Sequence, residues 1–167
     1  MRARVRAVSG LVTVCMAAVL PWTFSGQETS ARPLTGVMQG YVVTRDRGGE
    51  DVFTETDRVE PGQILEYRLV YTNHSARDLR DVSITGPIPS TTRYLADSAC
   101  GPDCGEPEFS IDGGEAFQGE PVTCVRTLPD GTEAETVAPC DRYTHIRWTV
   151  DRFPPGTLRF TYRVSVK

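Results

Sequence analysis

Residues 158 to 167 read Leu-Arg-Phe-Thr-Tyr-Arg-Val-Ser-Val-Lys: Leu158, Phe160, Tyr162, Val164 and Val166 alternate without a break with polar or charged neighbours. Successive side chains of an extended chain point to opposite faces, so the large apolar groups share one face and the polar ones the other. A helix would scatter that pattern around its circumference. A half-buried antiparallel strand turns it into one face for a core and one for water. The period recurs at residues 64 to 72, where Leu65, Tyr67, Leu69 and Tyr71 share a face opposite Glu66, Arg68 and Thr72, with Ile64 and Val70 as apolar exceptions. It recurs again at 143 to 150, where Ile146, Trp148 and Val150 fall on one side and His145 and Arg147 on the other.

Turn signals separate these runs at strand-length intervals. Pro61-Gly62 leads into the strand at 64, and Asn73-His74-Ser75 leads out of it. Pro154-Pro155-Gly156 stands before the last strand, while Pro87 and Pro89 close a strand anchored by Leu79, Val82 and Ile84. Residues 36 to 45 form a first strand followed by a turn at 46 to 51. Residues 108 to 117 form a hairpin about Asp112-Gly113-Gly114, and Pro129-Asp130-Gly131 makes a further turn. No sustained helical period appears beyond the N-terminal segment. The expectation is all-β: an antiparallel sandwich of about seven to nine strands.

The first 31 residues stand apart. Arg2, Arg4 and Arg6 precede an apolar run from about Ala7 to Leu20, and small and polar residues follow. This is the layout of a secretory signal peptide, with cleavage after Ser25 or Ala31. The apolar run is shorter than the roughly 20 residues that a spanning helix requires. Cys15 is not expected to carry lipid, because Val14 before it is large and apolar sequence follows it. Residues 32–35 are read as a short linker and 36–167 as one domain. No other stretch is apolar enough to cross a bilayer, so the mature chain is expected to lack a transmembrane segment and to be secreted, in a bacterial periplasm or outside the cell.

Charge narrows the partners. The chain has 18 basic and 22 acidic residues, and cleavage after Ala31 removes three Arg and one Glu, leaving 15 against 21. A mildly acidic surface with no basic stripe argues against nucleic acid and anionic membranes.

The segment from Val59 to Ala99 resembles the bacterial conserved-repeat family known as domain of unknown function eleven. The resemblance rests on Pro61-Gly62, the alternating strand Tyr67 to Asn73, Val82 to Ile84, the turn Ile88-Pro89 and the pair Tyr94-Leu95. Residues 109–117, 143–150 and the Pro-Gly before the last strand extend it over 36–167. It implies an immunoglobulin-like sandwich of surface or secreted proteins, used for structure or adhesion, with no catalytic residues to carry over.

Four cysteines follow the signal segment, at 100, 104, 124 and 140. An even count behind a signal peptide reads as disulfides. Of three possible connectivities, Cys100–Cys104 and Cys124–Cys140 are expected. Gly101-Pro102-Asp103 makes a turn between the first two, and Cys124 and Cys140 lie across the loop that holds Pro129-Asp130-Gly131. The Cys100–Cys104 spacing of three residues, followed by Gly-Glu-Pro, differs from a redox motif at a helix start. Cys124 and Cys140 are too far apart for paired zinc ligands.

Asp46, Asp51, Asp112 and Asp130, with Glu50 and Glu115 nearby, offer weak calcium ligands, and none follows a spaced-ligand loop. His74 and His145 have no metalloprotease motif around them, and no nucleophile elbow or paired carboxylates occur. Trp148 is in phase with Ile146 and Val150 and is expected in the core, not on a sugar-binding platform. Asn73-His74-Ser75 is formally a glycosylation sequon, and the turn already accounts for Asn73. The expectation is a noncatalytic module without cofactor that works by contact with another envelope or extracellular protein. The alternative is a glycan- or calcium-binding sandwich.

Overall fold

The computed structural model describes residues 32–56, 58–102 and 106–167. The signal peptide, its cleavage site and Cys104 lie outside them. The described chain forms eleven strands and no α-helix. They are β1 (Leu34–Arg45), β2 (Asp51–Glu55), β3 (Ile64–Asn73), β4 (Leu79–Pro87), β5 (Thr92–Tyr94), β6 (Glu108–Ser110), β7 (Gln118–Gly119), β8 (Thr123–Thr127), β9 (Glu133–Val137), β10 (His145–Phe153) and β11 (Gly156–Val166). Residues Cys140–Arg142 make one 3₁₀ turn.

Nine of the strands form two antiparallel sheets. The larger runs β2-β1-β3-β11-β5 and the smaller β4-β10-β6-β7; β8 and β9 pair only with each other. The protein is an all-β sandwich. The registers follow the alternation read from sequence: Leu69 pairs with Phe160 and Tyr67 with Tyr162 across β3 and β11, and Trp148 pairs with Ile84 across β10 and β4. These residues point between the sheets. Ile84, Phe109, Ile146, Phe153, Phe160, Tyr162 and Val164 are fully buried, and Trp148 is 1% exposed. The Trp148 ring packs from the smaller sheet against Phe160 and Tyr162 of the larger, at centroid separations of 5.3 and 6.2 Å. Tyr94, Phe109 and Tyr143 make a second aromatic cluster toward β5 and β6. The buried Tyr162 hydroxyl donates to the Pro87 carbonyl, so the ring crosses the core with its polar end satisfied.

Asn73 holds one corner. It is 3% exposed; its amide donates to the carbonyls of Arg77 and Phe153, and its oxygen accepts from the Ser75 backbone and hydroxyl. The turn reading of this residue stands, and the sequon nitrogen is inside the protein.

Three boundaries differ from expectation. β1 starts at Leu34, which pairs with Asn73, so Leu34 and Thr35 belong to the sheet and not to a linker. Asp51, read as the last residue of the 46–51 turn, instead opens a strand that runs to Glu55, because Phe53 pairs with Val43 and Asp51 with Arg45. In the 108–117 hairpin the return strand begins only at Gln118, since the Asp112 carboxylate gathers the backbone N–H groups of Glu115 and Ala116 into a wider loop.

Candidate interaction face on the larger sheet

The outer face of the larger sheet carries the side chains that alternation assigned to water. Glu66 is the exception: it is 7% exposed, on the face away from the core. A carboxylate is held there only if its charge is met. Arg68 Nε donates to Glu66 Oε1 at 2.8 Å, and Arg163, Glu66's cross-strand partner on β11, donates to Oε2 at 3.0 Å. Arg163 Nη2 also reaches Asp51 Oδ2 on β2 at 2.8 Å, and Asp51 lies 3.6 Å from Arg45. Burial works against the Arg163 charge, and the bonds to Glu66 and Asp51 more than offset it, leaving its pKa above the ordinary arginine value.

Aromatic rings cover this network. The Arg68 guanidinium lies 4.5 Å from the Tyr41 ring centroid and 4.2 Å from that of Phe53, and Arg163 lies 5.8 Å from Phe53. Guanidinium–ring contacts at such partly exposed sites are each worth about 0.5–1 kcal/mol. The side chains come from four strands, so the patch exists only when the sheet is complete. Phe53 and Ile64 remain exposed at its rim. Arginines already fixed by carboxylates thus lie beside exposed aromatic and aliphatic groups. Sequence reading missed the patch because Asp51, Glu66 and Arg163 meet only through tertiary pairing; the one local signal was the Glu66–Arg68 spacing on a strand face.

The residues singled out from sequence are dispersed. Asp46 binds the backbone of Gly48 and Glu50, and Asp51 belongs to the arginine network. Asp112 accepts from the Ser110 hydroxyl and from Ala116, which holds its carboxyl below the usual aspartate range; Asp130 does the same with Thr132. Each candidate calcium ligand sits in a different turn or strand; Asp46, Asp112 and Asp130 are engaged by their own turns, and Asp51 by Arg163 of β11. Among the described residues, no three His, Cys, Asp or Glu side chains converge as a metal site would require.

Among the described residues Cys100, Cys124 and Cys140 form no disulfide with one another. Cys100 bonds through its backbone to Thr161 of β11. The expected Cys124–Cys140 bond is not formed: Cys124 Sγ accepts from Arg142 at 3.1 Å and faces Thr136 Oγ1, while burial and the nearby Glu120 push the Cys140 thiol up. His74 bonds Thr35, and His145 leans on Thr144, so the two histidines occupy separate places with hydroxyl partners. Arg147 is held by Glu108 and covers Phe117. An open cleft of 490 Å³ beside β10, lined by Thr149, Asp151, Arg152, Pro154 and Leu158 among others, contains no histidine or cysteine. None of the described helices could cross a membrane. No protein-family model, curated protein or solved structure matches the chain.

Proposed function

We propose that the chain is a secreted, noncatalytic, immunoglobulin-like module of the conserved-repeat kind, acting by contact with another bacterial envelope or extracellular protein through the outer face of its larger sheet. The observation that supports this reading is the Arg68–Glu66–Arg163 network under Phe53 and Tyr41. Its charged groups are fixed before any partner arrives, so binding would cost little side-chain ordering.

A photo-cross-linking residue at Ile64, exposed at the rim, tests the face in the native producer. One adduct of discrete mass is expected, and Phe53→Glu should remove it. No adduct at Ile64, together with a calcium-dependent rise in melting temperature or a specific glycan-array signal, would replace contact by ligand binding.

A further inference from the structure

A sheet edge exposes unpaired backbone N–H and C=O groups, and proteins guard such edges with charge, proline, a bulge or brevity. In this sandwich most edges carry a guard. β4 has Arg80, Pro87 and a left-handed Asp81 at φ 52°. β5 has three residues, and β7 has two. β2 is bounded by Asp51 and Glu55, and the β8–β9 hairpin carries Arg126, Glu133 and Glu135. The first half of β1 differs. Leu34 to Gly40 pairs with β3 on one side, while β2 pairs only from Tyr41 onward, so among the described residues the other side is open. Its sequence, Leu-Thr-Gly-Val-Met-Gln-Gly, has no charge and no proline, with Val37 61% and Met38 38% exposed. It is also kept in place: the Tyr71 ring lies against Gly36, and the Tyr67 ring is 3.3 Å from where a Gly40 Cβ would stand.

We propose that this open edge pairs antiparallel with the same edge of a second copy of the chain, about a two-fold axis at Val37. Three features of the edge select a second copy. The free stretch is bounded by Pro33, which has no N–H, and by Glu55, where β2 occupies the next place, and Val37 is its midpoint. With that axis, Leu34 faces Gly40 of the second copy and Met38 faces Gly36, so each large side chain on the inner face meets a glycine. Thr35 then faces Gln39, and Val37 faces its own copy. Beyond the paired stretch, Pro33 ends the incoming strand at Glu55 and brings the exposed Arg32 against that carboxylate, twice by symmetry. Neither Arg32 nor Glu55 makes an ion pair among the described residues. The two larger sheets would become one continuous sheet. A seven-residue strand pair is smaller than the roughly 800 Å² per partner of a standard interface, so the dimer is a weak one in exchange with monomer.

Sedimentation of the purified protein over roughly 1 to 500 µM tests this. Mass should rise toward a dimer with concentration. Val37→Lys, which sets two like charges opposite one another on an exposed position, should abolish the rise while leaving the melting temperature of dilute protein unchanged. Arg32→Glu or Glu55→Arg alone should weaken association about three- to tenfold, and the double exchange should restore it. A monomer at every concentration overturns the proposal. So does a dimer that is indifferent to Val37→Lys, which would place the contact elsewhere. The proposal rests on the contact reading only for its use in the cell: a monomer that still forms the Ile64 adduct would sink the dimer and leave that reading standing.

Discussion

On the inner side of β3 and β11, Leu65, Leu69, Phe160, Tyr162 and Val164 are buried against the smaller sheet. On the outer side of the same strands, one residue away, Glu66 is as buried as Leu65, under two arginines and two aromatic rings. The inner face draws on apolar area, about 25 cal/mol for each Å² removed from water, and is tolerant of which apolar group supplies it. The outer face draws on charge pairing in a half-dry setting, where each group is stable only while its partner remains. One backbone thus supports a surface that fails in proportion to lost volume and another that fails when a single partner is removed.

The largest effect should come from breaking the inner face. Trp148→Ala removes the largest fully buried side chain and should cost about 3–5 kcal/mol, read as a lower urea midpoint with an unchanged slope. A cost below about 1 kcal/mol would mean that the two sheets are not held by this ring. The outer face should respond less and differently. Glu66→Gln keeps the shape and removes the charge that Arg68 and Arg163 share, and about 1–3 kcal/mol should be lost. Adding Arg163→Gln to that variant should cost less than Arg163→Gln does alone, because one of its two carboxylate partners is already gone while Asp51 remains. If the two losses add in full, the network is not a unit. The smallest effect sharpens the comparison: a double-mutant cycle of Phe53→Ala and Arg68→Ala should give a coupling of about 0.5–1 kcal/mol. The same cycle with Val52 in place of Phe53 should give none.

The inner face was legible in the sequence and the outer face was not. β3, β10 and β11 announce themselves through period-two alternation, and Trp148 could be placed in the core by its phase with Ile146 and Val150. Alternation assigns a face, and burial on the inner face then follows. It says nothing of what neighbouring strands bring to the other face. Glu66 read as a water-facing residue because the Asp51 and Arg163 beside it lie on β2 and β11, far off in the chain. β2 itself was hidden, since five residues with acidic ends resemble a turn until Phe53 is seen opposite Val43. The turn at Pro129-Asp130-Gly131 was read from sequence, but the strand that β8 pairs with across it, β9, and the separation of that hairpin from both sheets left no mark in local sequence.

The position of β11 has a consequence for when the protein can fold. This strand comes after every other in the sandwich, yet it lies inside the larger sheet, between β3 and β5, and contributes Phe160, Tyr162 and Val164 to the core. A ribosome that has delivered everything up to Phe153 has made β3 without its partner on that side and β10 with nothing to set Trp148 against. Such distant pairing is slow to nucleate, because chain closure is opposed by entropy before any contact offsets it. The larger sheet therefore cannot close around β3 until the turn of Pro154 to Gly156 and the strand after it are available to pair.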